Sequence, residues 1–181
     1  MSFLELAARR QSVRAYRDRP VEKDTLTRCI EAARIAPSSC NGQPWRFVVV
    51  DDPELKARVA EQTTVPAHGL NRFVASAPVL VLVTLERLSL SSRLGGLLRR
   101  IPFHYVDIGC AVENFCLQAT DEGLGSCILG WVKARGVRKL MGIPRRRKIV
   151  VAIAVGYPSE DNQREKKRKS LEEIRAWNRY H

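Results

Sequence analysis

Metal-ligand groupings are absent from this sequence. Its five cysteines contain no CxxC pair, and its three histidines stand far apart, at His68, His104 and His181. Structural and catalytic metal sites need such ligands at short spacing. The cysteines are also odd in number and irregularly spaced. We therefore expect no metal site, and reduced thiols that are mostly buried.

Long apolar segments are missing as well. The longest run, Val79–Leu85, is far too short to span a membrane. At the N-terminus, Glu5 falls within the first turn and no basic region precedes an apolar block, so we expect no signal peptide. With 181 residues, 45% hydrophobic and 28% charged, the chain has an ordinary globular composition. These features predict one cytoplasmic domain over residues 1–181, without a membrane anchor.

Familiar catalytic and nucleotide-binding motifs do not occur either. No GxGxxG or GxxxxGK[ST] follows a predicted strand. No GxSxG accompanies His104, the best-placed histidine. Glu113 is a candidate buried carboxylate on a predicted core helix, but one unpartnered acid is weak support for acid–base catalysis. A bound cofactor that carries the chemistry is therefore an attractive hypothesis.

Positive charge, in contrast, is abundant. The formal net charge is +12, and much of the excess lies in residues 135–148 and 164–169. Such an excess can indicate nucleic-acid binding, although basic stretches are often solvated surface. The interleaved aromatic residues of a single-strand-binding surface are missing. The composition does not favour nucleic acid as the main partner, but a basic binding module remains an alternative.

The order of helix and strand patterns predicts an α+β fold. Val79–Leu85 is typical of a central strand buried on both faces. Residues 105–122 carry apolar groups around nearly the whole helix circumference, which predicts a core helix. The Ser170 and Glu173 capping box predicts a last helix through about Asn178. Residues 89–102 show no clean period and are expected to form a mobile excursion. Strict βαβ alternation is absent.

Two segments have the residue types of a ligand site. Residues 36–45 (APSSCNGQPW) place hydroxyl, amide and proline groups between a predicted helix and a predicted strand, where ligand sites commonly lie. Arg10, Ser12 and Arg14 alternate, so an extended chain would point all three the same way. Two guanidinium groups and a hydroxyl suit a phosphate. The alternatives are an ordinary surface loop and a basic helix terminus.

Five segments together resemble a known family. They are RRQSVRAYRDRPV (9–21), AARIAPSSCNGQPWRFVVV (32–50), APVLVLV (77–83), DIGCAVENFCLQATDEGLGSCILGW (107–131) and VAIAVGYP (151–158). In this order they cover nearly the whole chain, which resembles the FMN-dependent nitroreductase family. The resemblance implies a nitroreductase-like α+β fold, with a central mixed or antiparallel sheet flanked by helices on both sides. It also implies an intertwined homodimer with two FMN sites, each built from both subunits.

The resemblance assigns cofactor contacts by position. The phosphate, ribityl chain and pyrimidine edge of FMN would be held by Arg10, Gln11, Ser12 and Arg14. The partner subunit would face the isoalloxazine ring with Pro37, Ser38, Ser39, Asn41 and Gln43. Asn71, or the adjacent Arg72, is a further candidate for the pyrimidine edge.

Two more contacts follow from the same resemblance. A backbone N–H from Leu129 or Gly130 would donate to flavin N5, where a glycine lets the backbone approach the ring closely. Lys166 and Arg168 would close the phosphate site, with Lys167 as the alternative between them. Many bacterial members have an acidic residue at the position of Leu129, so this side chain is not a shared catalytic acid. No catalytic side chain is assigned.

The implied function is that of an FMN-dependent NAD(P)H oxidoreductase. NADH or NADPH would reduce the flavin, and a small aromatic acceptor such as a nitroaromatic or quinone would reoxidise it in a ping-pong mechanism. Residues 89–102 would roof the substrate side, and Trp131 and Phe103 are candidates to shape the cavity, with core or interface packing as the alternative. Another redox task on the same fold, such as dehalogenation or a biosynthetic dehydrogenation, remains open. So does a basic nucleic-acid-binding module that has no flavin.

Overall fold

The computed structural model describes residues 1–86, 101–160 and 163–180. Of the predicted excursion, residues 89–100 lie outside the described residues. The described helices are α1 (Phe3–Arg9), α2 (Lys23–Arg34), α3 (Pro53–Glu61), α4 (Phe103–Asp121), α5 (Ala134–Met141) and α6 (Leu171–Ile174). Short 3-10 helices span Ser39–Asn41, Pro66–His68 and Arg72–Ser76. The strands are β1 (Trp45–Val50), β2 (Val79–Leu85), β3 (Gly125–Leu129) and β4 (Lys148–Gly156).

The four strands form an antiparallel sheet in the order β1-β2-β4-β3. The central strand β2 is buried from Val79 through Thr84, as its continuous apolar run predicts. At the outer edge of β3, a parallel bridge joins Ser12 to Ser126. This bridge brings the segment between α1 and α2 alongside the sheet and makes that edge mixed.

Helices cover both faces of the sheet. Successive residues of β2 point to opposite faces, so the strand divides its side chains between two cores. Its odd-numbered valines pack with α2 and α4 around Phe115, which stacks on Phe47 with ring centroids 5.8 Å apart. Its even-numbered leucines pack with α3 and α5. The fold is therefore α+β with helices on both sides, as predicted.

Local signals set most of the helix ends. The Ser2 hydroxyl and the Glu5 carboxylate form a capping box at the start of α1. The Asp52 carboxylate accepts a 2.8 Å hydrogen bond from Leu55 N at the start of α3. Gly123 follows α4 with φ +75°, a conformation that favours glycine.

The last helix is shorter than predicted. The capping box of Ser170 and Glu173 is present, but α6 ends at Ile174 rather than near Asn178. Arg175 is already extended, with φ −124° and ψ 133°. No residue of α6 is buried, so no packed apolar face extends the helix beyond its capped first turn.

The thiols are free, and three of the five are buried, as expected. Cys29, Cys116 and Cys127 are buried, Cys110 is intermediate and Cys40 is exposed. Burial raises the pKa of Cys29 to about 12 and that of Cys116 to about 11. Within the described residues, no group of three or more His, Cys, Asp or Glu side chains could hold a metal ion. None of the helices described for this chain has both the length and the apolar character needed to cross a membrane.

Candidate functional site: a cationic clamp and a strained loop

The segment that carries Arg10, Ser12 and Arg14 is fixed to the sheet along its length. Val13 N donates to Ser126 O at 3.0 Å, beside the Ser12–Ser126 bridge. The buried Tyr16 hydroxyl donates to Val13 O at 2.8 Å and lies 3.2 Å from Ala154 O. These contacts hold the chain extended after α1, which is the conformation that the alternating pattern requires.

The C-terminal tail folds back over the same segment. Gln163 Nε2 donates to Ala8 O and Lys166 Nζ to Ala7 O, both at 2.7 Å. Both carbonyls belong to the last turns of α1, where cations and other donors are stabilising. Arg164 donates from its guanidinium to Ser12 O and from its backbone to the Gln11 side chain. Residues 163–168 therefore lie directly against residues 7–12.

Positive charges consequently gather beside Arg10. Burial lowers the pKa of Lys166, and the positive charges of Arg10 and Arg168 lower it further. The acid that faces them is Glu113 of α4, whose Oε1 lies 3.3 Å from Arg10 Nε. Three cations against one acid leave a net positive clamp that suits a phosphate. We call Arg10, Lys166 and Arg168 the cationic clamp.

Glu113 is not the buried carboxylate that was predicted. Its side chain is 47% exposed and pairs with Arg10. Its role in this structure is to hold the Arg10 guanidinium.

Arg14 extends the clamp toward Asn71. The Arg14 guanidinium lies 6.0 Å from the centroid of the Phe73 ring, a cation–π distance. Asn71 has φ +63°, and its amide donates to Thr63 O at 2.9 Å. The structure thus places the two segments predicted to reach the pyrimidine edge close to each other. The Asn71 amide nitrogen, however, already donates a hydrogen bond within its own loop.

The loop predicted to face the flavin ring is strained. Cys40, Asn41 and Gln43 have φ values of 52°, 51° and 42°, a region that non-glycine residues rarely adopt. The Ser38 hydroxyl accepts from Gln43 N at 3.0 Å, and the Gln43 amide donates to Asn41 Oδ1 at 3.0 Å. Such strain persists only where surrounding contacts hold it, and it is common at ligand sites.

Asp107 anchors this loop to α4. Its side chain is buried, and its Oδ1 accepts a 3.0 Å hydrogen bond from Ser39 N. A carboxylate that accepts a backbone N–H makes a strong, charge-assisted bond. Sequence reasoning missed this residue. The available signal was an acid near the start of a helix that is otherwise apolar on most sides.

The loop and the clamp attach to different sides of α4. Asp107 and Glu113 are six residues apart, which corresponds to about 9 Å along the helix and about 120° around it. The burial of Asp107 and the exposure of Glu113 agree with this separation.

Leu129 ends β3, and Gly130 follows it directly. The Leu129 side chain is buried in the core, so only its backbone can meet a ligand. Gly130 is exposed, and a Cβ built on it would meet no atom within 4 Å. Open space of this kind lets a planar ligand approach the backbone.

The residues present fit a phosphorylated flavin at the level of chemistry. The clamp supplies fixed cations for a phosphate, and Gly130 supplies accessible backbone for a ring. The loop before β1 supplies further polar groups and surface, but on a different side of α4 from the clamp. Its residues are Pro37, Ser38, Ser39, Asn41 and Gln43. Phe103 is half-buried and Trp131 is 53% exposed, so Trp131 is the more accessible of the two candidates for shaping a cavity.

Comparison with known proteins identifies the protein family. The model of the Nitroreductase family matches residues 7–157. The chain therefore belongs to the nitroreductase family. The match includes Arg10–Arg14, the loop of Ser38 and Ser39, and Leu129-Gly130.

Individual relatives agree with this assignment and indicate an oxidoreductase. A protein named as a candidate NADH dehydrogenase/NAD(P)H nitroreductase, from Methanothermobacter thermautotrophicus, is 31% identical over 166 residues, covering 89% of this chain and 80% of that protein. Iodotyrosine deiodinase from Thermotoga neapolitana is 28% identical, covering 86% and 88%. The structure of a BluB-like flavoprotein from Clostridium difficile 630 matches with a TM-score of 0.81 at 27% identity, covering 99% and 100%.

Removing the Asp107 anchor should loosen the strained loop. In Asp107→Ala the Ser39 N–H loses its acceptor, and we expect a loss of about 1–3 kcal/mol in the free energy of unfolding. Asp107→Asn keeps an acceptor oxygen and should lose less. Denaturant unfolding gives the stability, and amide hydrogen exchange at Ser39 gives the local effect. Unchanged exchange in Asp107→Ala would contradict the anchor.

Proposed function

We propose that this protein is an FMN-dependent NAD(P)H oxidoreductase that reduces small aromatic acceptors such as nitroaromatics or quinones. When bound, FMN would accept hydride from NADH or NADPH and pass electrons to the acceptor in ping-pong order. The cationic clamp is the observation that carries this proposal. Burial lowers the pKa of Lys166, the positive charges of Arg10 and Arg168 lower it further, and a bound phosphate would offset those charges.

The clamp residues would bind the phosphate end of the cofactor. Arg10 and Lys166 are already oriented, by Glu113 and by the Ala7 carbonyl respectively. Such preorganisation reduces the entropy lost on binding. Arg168, an exposed residue, would complete the site, and Gln11 and Ser12 would contact the ribityl chain.

The other residues would hold the ring. A backbone N–H of Leu129 or Gly130 would donate to flavin N5. Arg14 and the segment at Asn71 would place positive charge and donors at the pyrimidine edge, where negative charge collects when the flavin is reduced. The chain would thus contribute orientation and electrostatics rather than a catalytic side chain.

The second wall of the site would come from a partner copy. The loop of Pro37–Gln43 and the clamp lie on different sides of α4, so in a homodimer the loop of one subunit could meet the clamp of the other. Apolar side chains exposed at both ends of the chain support a dimer. They include Phe3 at 69%, Leu4 at 80%, Leu171 at 61%, Ile174 at 67% and Trp177 at 74% exposure. Single surface residues of this kind are ordinary, but five on two terminal helices and their flank favour a partner.

Dissociation of the dimer should release the cofactor. A shared site leaves half of the ring uncovered in a monomer, so flavin retention should fall with the dimer fraction on dilution. Light scattering after size exclusion measures the mass, and flavin fluorescence measures release. A monomer that retains FMN would contradict the shared site.

Reductive dehalogenation is the second candidate function. The iodotyrosine deiodinase from Thermotoga neapolitana is similar over 86% of this chain, which supports a halogenated phenol as a possible acceptor class on the same scaffold. A biosynthetic dehydrogenation and a flavin-free basic module have no comparable support.

The spectrum of the purified protein tests the proposal most directly. We expect a yellow protein that absorbs at roughly 450 nm, where oxidised flavins absorb. On denaturation, the protein should release FMN. Turnover of NADH and NADPH with a nitroaromatic, a quinone and an iodophenol then separates the two candidate functions. A colourless protein that binds no added FMN would overturn both.

Arg10 and its neighbour Arg9 form a matched pair for the clamp. Arg10→Ala removes a charge-assisted phosphate contact and should weaken FMN binding by about 1.5–3 kcal/mol. Arg9 is exposed and lies outside the clamp, so Arg9→Ala should change the affinity far less. Because the Arg10–Glu113 pair is partly exposed, unfolding stability should change by less than about 1 kcal/mol. Fluorescence titration of apoprotein measures both affinities, and equal effects would remove Arg10 from the site.

A further inference from the structure

A basic cleft lies at the turn between α5 and β4, and none of the residues that line it is assigned to FMN. It encloses about 400 Å³ between this turn and the neighbouring ends of β1 and β2. That volume falls within the range of small-molecule sites. Residues that matter most for its chemistry are Arg46, Val48, Met141, Ile143, Arg146 and Arg147.

The turn that forms one wall of the cleft is rigidly held. Gly142 ends α5 with φ +64°. The Arg138 guanidinium then donates twice to Arg147 O, at 3.2 and 3.1 Å. Arg147 N donates to Pro144 O at 2.9 Å, which closes a four-residue turn. Arg145 and Arg146 occupy its two central positions, and of these two only Arg146 lines the cleft.

The charges in the cleft are not balanced. Glu86 is the acid that lines it, and its carboxylate is already used by Arg147 at 2.8 Å and by the Thr84 hydroxyl at 3.0 Å. Arg46 and Arg146 form no ion pair within residues 1–86, 101–160 and 163–180. Residues 123–159 contain eight Lys and Arg residues and no acid. Arg46 and Arg146 therefore line the cleft without a paired acid among the described residues.

The cleft also has an apolar part. Val48 of β1, with Met141 and Ile143 beside the turn, gives it aliphatic surface. Inorganic phosphate alone would leave that surface uncovered. A ligand that matches both parts has a flat, largely apolar body and an anionic group with several acceptor oxygens.

We propose that this cleft binds the phosphomonoester of a nucleotide, with Arg46 and Arg146 pairing with the phosphate and the base lying over the aliphatic surface. Arginine matches phosphate oxygens with paired donors, whereas a lone exposed cation would have no such geometry. Two sources share this chemistry: a free nucleotide that binds as an effector, and the phosphorylated adenosine end of NADPH.

Nucleotide titration of the FMN-loaded protein tests the cleft. 5′-AMP and 2′-AMP, titrated by calorimetry at low ionic strength, should bind, and adenosine should bind at least about tenfold more weakly because it has no phosphate. Arg46→Gln and Arg146→Gln should each weaken AMP binding by about fivefold or more. Arg145→Gln, which removes the same charge from the adjacent turn position outside the cleft, should have little effect.

Two results would contradict nucleotide binding in the cleft. One is the absence of AMP binding at millimolar concentration. The other is equal weakening by Arg145→Gln and Arg146→Gln, which would mean that only the general surface charge attracts the nucleotide. Because the titration follows nucleotide binding rather than turnover, it can fail while the protein remains a yellow, active flavoprotein, and it can succeed in a protein that holds no flavin.

Steady-state kinetics then distinguish the two sources. A rise in the KM for NADPH but not for NADH in Arg146→Gln assigns the cleft to the electron donor. Weakened AMP binding with both KM values unchanged assigns it to a separate nucleotide. The 450 nm absorbance of each variant should equal that of the parent, because neither arginine belongs to the clamp.

Discussion

The burial of α4 against the sheet and α2 is the constraint on which both candidate ligand segments depend. Its apolar residues surround Phe115 and fix the helix in the core. Two polar residues on this fixed helix then reach outward: Asp107 to the loop before β1, and Glu113 to Arg10. Rotation or shift of α4 would move both segments together. The helix is thus a structural part of the core and also the support for each half of the candidate site.

Electrostatic repulsion is tolerated at the clamp where a folded protein would ordinarily avoid it. The Lys166 ammonium donates a hydrogen bond to the Ala7 carbonyl. It still lies close enough to Arg10 and Arg168 to be repelled by their positive charges. A single half-exposed acid offsets these charges only in part. Arrangements of this kind reduce stability, and they are common at sites whose function needs the charge. The clamp and the basic cleft are both rich in positive charge but have no residue in common.

Sequence patterns predicted most of the fold. The strand Val79–Leu85 and the core helix α4 were found because period and burial are local signals. The length of the last helix was overestimated, because a capping box indicates where a helix begins and not whether the helix packs against the rest of the protein. Asp107 and Arg164 were missed since their partners, Ser39 and Ser12, lie 68 and 152 residues away along the chain. The cofactor contacts of the individual residues stay predictions.

The contact between residues 7–12 and residues 163–168 has a consequence for biosynthesis. Residues 7–12 leave the ribosome long before residues 163–168 exist. The phosphate end of the proposed site cannot assemble until residue 168 has emerged, even though the sheet and α4 are complete earlier. Binding of the cofactor would therefore be a late event for each nascent polypeptide.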